Sequence, residues 1–199
     1  PEPDAFANAF HGIIFFNLSR SDLPFRDKEV RQALRHGADR QTIIDQVLQG
    51  QGLVIHSPIL PDTWAYNEEI RSYEYSPQEA RHLLGDAGWS LLSSESTTRR
   101  KYGDILGFTL LTSSEPERVA IAEMLAEQWT EIGAQVTVET ASPAEVHEAL
   151  EARDFEAIYI HVAVPGDPDP YPFWHQEQID NGQNYAGFNN RQASEAIEQ

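Results

Sequence analysis

Residues 106 to 162 read as strand, helix, strand, helix, strand, and this alternation limits the fold more than any other feature of the sequence. Phe108-Thr109-Leu110-Leu111-Thr112 is β-branched and apolar enough for a strand. Glu115-Pro116-Glu117 then opens a long helix whose Val119, Ala122, Leu125, Ala126, Trp129 and Ile132 recur at helical spacing up to Gly133, with acidic residues suited to its N-terminal dipole. Gln135 to Thr140 alternates with period two, and Ser142-Pro143-Ala144-Glu145 is a capping-box pattern on a helix through Leu150. Phe155 to Val162 reads as the third strand. Strands joined by helices of this length favour right-handed crossovers in a mostly parallel sheet, so the predicted class is α/β, with a mixed, mostly parallel sheet flanked by helices.

The first half adds to this frame. Gly12 to Leu18 reads as a buried strand. Asp27 is placed to cap a helix carrying Val30, Ala33 and Leu34 up to Gly37, and Asp39 a second carrying Ile43, Ile44, Val47 and Leu48 up to Gly50. From Gly52 to Tyr75, Pro58, Pro61, Trp64, Tyr66 and Tyr73 break both periods and predict an ordered, aromatic-rich excursion. Ser76-Pro77-Gln78-Glu79 repeats the capping box on a helix through Ala80, Leu83, Leu84 and Ala87. Residues 93 to 103, including Arg99-Arg100-Lys101, read as a solvated loop or hairpin tip. Asn190 is placed to cap a last helix that buries Ala193, Ala196 and Ile197.

Composition excludes several functions. With 14 Lys and Arg against 32 Asp and Glu, a net charge of −18, the chain lacks the clustered cations that hold a phosphate backbone, so nucleic acid is not expected as a partner. No run reaches the roughly 20 apolar residues of a membrane-spanning helix. The absence of Cys removes disulfides, thiol catalysis and thiolate metal sites. The seven histidines, at 11, 36, 56, 82, 147, 161 and 175, are never paired at metal-site spacing, and no Gly-rich phosphate loop or nucleophile elbow occurs, so no cofactor or metal is expected. The chain opens Pro1-Glu2-Pro3-Asp4 with no secretory signal, and its last helix stops without a terminator, which together suggest a processed or excised piece.

In parallel sheets ligands collect beyond the carboxyl ends of the strands. The segment leaving the last strand, Ala163 to His175, holds four prolines, Asp167 and Asp169, and the flat rings of Tyr171, Phe173 and Trp174. A rigid loop bearing acids and aromatics suits recognition. The alternative is a Pro-rich connector whose aromatics fill the core. A hydrolase using Asp167 and Asp169 lacks any second constellation to activate a substrate.

Several separated motifs, taken in order, resemble the family 5 extracellular solute-binding proteins, the oligopeptide, dipeptide, nickel and oligosaccharide receptors of ABC importers. They are Asn17-Leu18, Pro24-Phe25-Arg26-Asp27 with Val30-Arg31-Gln32-Ala33-Leu34, Ala38-Asp39-Arg40, Val47-Leu48 to Gly50, Pro58-Ile59, Trp64-Ala65-Tyr66 and Ala80 to Trp89. Asp167-Pro168-Asp169-Pro170-Tyr171, Phe173-Trp174-His175, Gly182 to Tyr185 and Gly187-Phe188-Asn189-Asn190 follow in the second half. The resemblance implies that residues 1–199 form a single lobe of the type II periplasmic-binding-protein kind, the third domain of a larger receptor that closes on ligand against a lobe absent from this chain. It further implies an extracytoplasmic parent, periplasmic or a cell-surface lipoprotein, with a membrane ABC permease as partner and an oligopeptide as the foremost solute, an oligosaccharide or metal chelate being the others. A sensing or adaptor lobe that meets a protein partner is the alternative. Ligand contacts would fall on Asp167, Asp169, Tyr171 and Trp174, with Trp64 and Tyr66 as neighbours. In peptide-binding members an Asp that pairs with the peptide α-ammonium lies three residues before the Asp/Glu-Pro step. Counted from Asp169-Pro170 that position is Gly166, so either Asp167 substitutes by a shift of one residue or the ligand lacks a free peptide amino terminus.

Overall fold

The structure, a computed structural model, describes residues 10–61, 63–163 and 168–199. Its centre is a four-stranded sheet of β1 (Phe10–Phe16), β4 (Gly107–Ser113), β5 (Gln135–Ala141) and β6 (Ala157–Ala163), in the order β1-β6-β4-β5. A separate two-stranded ribbon pairs β2 (Arg100–Lys101) with β3 (Asp104–Ile105). β4 runs parallel to both β5 and β6, joined to β5 through α4 (Pro116–Glu131), while α5 (Pro143–Ala152) carries the chain from β5 to β6. β1 lies antiparallel on β6 at the edge, which makes the sheet mixed but mostly parallel, as its alternating elements predicted.

Alternate residues of the strands feed two cores, because successive side chains leave a strand on opposite faces. On one face Phe108, Leu110, Ala157 and Tyr159 pack with Val30, Ala33 and Leu34 of α1 (Lys28–His36), Ala80 and Leu84 of α3 (Pro77–Asp86), and Ile121, Leu125 and Trp129 of α4. On the other, Phe15 and Ile158 meet Val146 and Leu150 of α5, with Phe155 and Tyr185. The aromatic carboxyl-terminal segment seats on this second face through Phe173 and Trp174, both packed against that core.

The capping signals are realised to different degrees. Ser142 Oγ accepts from the Glu145 amide and the Glu145 carboxylate accepts from the Ser142 amide, closing a full box. At Ser76 only the forward half forms, since the Ser76 amide already donates to the His36 carbonyl at 2.8 Å. Asp27 occupies the cap position of α1 without capping it; its carboxylate instead takes the Lys101 ammonium at 2.7 Å.

Further expectations are corrected. Arg99 is not a solvated loop residue: it is buried, its Nε donating to the Ile132 carbonyl at the end of α4 and its Nη1 to the Trp89 carbonyl. The guanidinium thus satisfies one carbonyl that the end of α4 leaves unpaired and one in the loop after α3. α2 (Arg40–Gln46) stops short of Gly50 because Gln49 and Gly50 turn into the left-handed region, at φ 53° and 79°. In α8 (Arg191–Ile197) the buried residue is Ser194 and not Ala196, because Ser194 Oγ accepts from the Gln176 amide.

β1 also ends before Asn17, where the sequence placed its end at Leu18. Asn17 is 2% exposed, its Nδ2 donates at 3.0 Å to the carbonyls of both Arg153 and Phe155, and its Oδ1 accepts from the Ser19 amide. An Asn17→Ala variant strands these groups with little or no access to water, so a loss of about 2–4 kcal/mol is expected in urea denaturation. A loss below roughly 0.5 kcal/mol would mean that water replaces the amide.

Candidate functional site

The three parallel strands end at Ser113, Ala141 and Ala163, and antiparallel β1 begins beside the last of these, with Phe10 opposite Ala163. This edge of the sheet carries a small cleft with about 60 Å³ of free space. Its walls are His11 of β1, Val162 and Ala163 of β6, the segment from Pro58 through Leu60 with Thr63, and Pro168, Asp169, Pro170, Phe173 and Trp174.

Each wall is held by its own chemistry. The excursion that carries Pro58 to Thr63 has no regular structure, and cations of the preceding helices fix it instead. Arg40 donates through Nη1 to the Ile55 carbonyl at 2.7 Å and through Nη2 to the Tyr73 carbonyl at 2.8 Å. Gln32 donates to the Tyr73 hydroxyl, and the Arg35 and Arg71 guanidinium groups lie 5.3 and 5.0 Å from the Tyr73 ring centre. Burial lowers the proton affinity of Arg35 and Arg40, the mark of cations taken out of water to bind carbonyls. Leu60 is buried at the tip, whereas Trp64 stands 86% exposed and Tyr66 is half-buried.

The opposite wall is a cascade of turns. Asp169 is exposed and its Oδ1 accepts from the Tyr171 amide, starting α6 (Tyr171–Trp174). The Tyr171 ring stacks on His175 with centroids 4.2 Å apart, and its hydroxyl donates to Glu177, so Tyr171 is engaged within the lobe. His175 is 1% exposed: its Nδ1 accepts from the Glu177 amide, which leaves Nε2 to donate to Glu198 at 3.1 Å. Asn184 donates to the carbonyls of His175 and Phe188, closing the wall. Trp174 is half-buried, tilted on Phe15 and edge-on to Phe188, and it also lines the cleft.

The structure therefore brings Asp169 and Trp174 to one cleft, sets Trp64 and Tyr66 on the loop that follows Thr63, and leaves Tyr171 out of the cleft lining, stacked on His175. Asp167, together with Gly166, lies outside the described residues. The sequence reading missed His11, Arg35 and Arg40. The arginines had a signal, since two cations on adjacent short helices precede an irregular segment rich in carbonyls; His11 had none beyond its place at the start of a strand.

On the other face of the same edge, the Tyr159 hydroxyl and His161 Nε2 are 2.9 Å apart, and Arg118 donates to Ser113 Oγ. Burial pushes the Tyr159 hydroxyl well up and lowers His161, with the Arg118 charge adding to the latter, and burial likewise lowers His11 and His56 below their ordinary 6.5. Between these folded values and 6.5 the unfolded chain binds more protons than the fold, so their contribution is complete above pH 6.5 and declines below it. The melting temperature is expected to drop as the pH falls from 7 to 5.5. A melting temperature that is level or rising over that interval would contradict it.

The cleft can orient a polar solute with a carboxylate and an indole, but it cannot enclose one: 60 Å³ is far below the roughly 300–1,000 Å³ of a small-molecule pocket. Among the described residues no group of three metal-ligating side chains is found.

Comparison with known proteins gives this cleft its context. The chain is 32% identical over 189 residues to the oligopeptide-binding protein AppA of Bacillus subtilis, covering 92% of this chain and 35% of that one. It is 32% identical over 180 residues to heme-binding protein A of Haemophilus influenzae, covering 89% and 31%. It thus spans about a third of the length of these relatives. The AppA structure, in complex with a nonapeptide, superposes with a TM-score of 0.86 at 30% identity over 96% of this chain and 38% of that one. NikZ from Campylobacter jejuni, in complex with Ni(L-His), gives 0.85 at 25% identity over 96% and 38%. These are type II periplasmic binding proteins, and the lobe described above has their fold. Residues 4–184 match the family described as bacterial extracellular solute-binding proteins, family 5 Middle, and the chain belongs to that family.

Proposed function

We propose that this chain is the closing lobe, the third domain, of the substrate-binding component of an ABC importer, and that it captures a peptide between itself and a second lobe for delivery to a membrane permease. The observation that carries this reading is the half-cleft: a rigidly held acidic and aromatic wall with an 86% exposed Trp64 on the adjoining loop and too little volume to hold a solute alone. Such an arrangement suits binding by hinge closure, in which ligand contacts both lobes and shifts the open–closed equilibrium. No bond is made or broken in this function, and the parent is extracytoplasmic. The names of relatives include oligopeptide, heme and nickel binding, and the peptide reading is supported by AppA together with the dipeptide- and di/tripeptide-binding proteins among them.

A thermal-shift screen of the full-length receptor against peptides, oligosaccharides and nickel chelates tests the reading. Peptides are expected to raise the melting temperature and the other classes are not, and Asp169→Ala is expected to reduce the shift. A folded receptor that no peptide stabilises would refute peptide capture and favour a lobe that meets a protein partner.

A further inference from the structure

We propose that the cleft is a side-chain subsite of the larger solute site, one that selects a Lys or Arg side chain through Asp169. The inference rests on the peptide-capture reading above. Asp169 is exposed and lines the cleft, and its carboxylate is only half used. Oδ1 accepts from the Tyr171 amide at 2.9 Å, while Oδ2 has no hydrogen-bond or ion-pair partner among the described residues.

The turn that starts α6 does not need this charge. An Asn at the same position would offer an equivalent Oδ1 to the Tyr171 amide. Asp169 instead adds a negative charge to a chain that stands at −18, where self-repulsion disfavours the compact state. A carboxylate kept under those conditions, with one oxygen open beside a cleft, suits a cationic partner.

The other walls select the sign and the shape of that partner. Among the described residues no Lys or Arg lines the cleft, and His11 adds no charge near pH 7, since burial lowers its proton affinity. The Thr63 hydroxyl is taken by the Leu60 carbonyl. An acidic side chain would therefore meet Asp169 as a like charge and find no cation to pair with. Ile59, Leu60, Val162, Phe173 and Trp174 make the rest largely apolar. The stem of Lys or Arg is a run of methylenes that buries along such a surface while its charged end reaches an acid or water. An indole in the same lining favours a cation as well. A free α-ammonium brings the charge without the stem and leaves the apolar wall unfilled. The free space of about 60 Å³, roughly the share of two liquid waters at ~30 Å³ each, suits the end of one side chain and not a whole solute. An ion pair open to water is worth little, so the selection depends on the second lobe closing over Asp169 and taking the pair out of water.

Calorimetry on the full-length receptor tests this with penta-alanine peptides in which each residue in turn is replaced by Lys, by norleucine, which keeps the stem without the charge, or by Glu. Each is made with a free and with an acetylated amino terminus. At one position or more, Lys is expected to bind about tenfold more tightly than norleucine, and Glu more weakly than either, whatever the amino terminus. Asp169→Asn is expected to erase the Lys advantage. Should that variant not fold, the fall of the wild-type Lys advantage as salt is raised reads the same ion pair. Equal affinity for Lys and norleucine at every position, or a Lys advantage that survives both Asp169→Asn and salt, would overturn the inference and leave peptide capture standing. A gain from the free amino terminus with none from Lys would overturn it too. A folded receptor that binds none of the peptides would overturn both readings.

Discussion

Replacing Trp129 by Ala is expected to cost about 3–5 kcal/mol, the largest loss of any single truncation in the lobe. Trp129 is 1% exposed at the junction of α1, α4 and the sheet, with its ring 6.2 Å from Phe16 and 5.6 Å from Phe108. Its Nε1 donates to the Leu34 carbonyl at 2.8 Å, so truncation both opens a cavity and strands a buried acceptor in the last turn of α1. A Cβ at Gly37, which follows α1, would meet Ile132 Cδ1 at 2.7 Å and the Ala33 carbonyl at 3.2 Å beside the Trp129 ring, so the packing here has little room for substitution. Against a typical total of about 5–15 kcal/mol, the loss would leave the variant partly unfolded near 40 °C. Urea denaturation followed by tryptophan fluorescence and circular dichroism reads it. A shift worth under about 1 kcal/mol would mean that the first core repacks freely around the hole.

The second large effect concerns binding and not stability. Trp64→Ala in the full-length receptor is expected to weaken peptide binding by about 30-fold, or ~2 kcal/mol, the size of a buried aromatic anchor at a binding interface. The unliganded melting temperature should hardly move, because a side chain 86% exposed contributes little to the folded lobe. The loop beneath Trp64 is pinned by Arg40 to the Ile55 and Tyr73 carbonyls, so the indole is presented in place without depending on its own packing. Equal affinity of wild type and variant would remove Trp64 from the site. A fall in melting temperature with affinity retained would make it a structural residue.

Much of the architecture was legible in the sequence because period carries it. The two helices and three strands between residues 106 and 162 follow from spacing and caps, and the Ser142 box forms as written. Strand direction is not carried by period, so nothing in residues 10–16 announced that β1 runs antiparallel to β6. Four-residue helices such as α6 and α7 (Gln178–Asn181) are too short to show a repeat. Arg99 looked like surface because a guanidinium is polar by type, yet one of its donors matches a carbonyl that the end of α4 leaves open.

The candidate site was legible as a region but not as a set of contacts. The rings and acids after β6 marked the wall, and Asp169 and Trp174 do line the cleft. Composition could not choose between recognition and core filling, and residues here serve both: Trp174 packs on Phe15 while facing the cleft. Tyr171 is of the same residue type as a binding ring, but its stacking on His175 and its bond to Glu177 depend on long-range packing that no local pattern encodes.

The central claim is that this lobe supplies half of a binding site, and calorimetry on the isolated chain beside the full-length receptor tests it most directly. With one peptide bound by the receptor, the isolated lobe is expected to bind at least 100-fold more weakly, a deficit of about 2.7 kcal/mol for the missing wall. Binding by the isolated lobe at the receptor's own affinity would contradict the account.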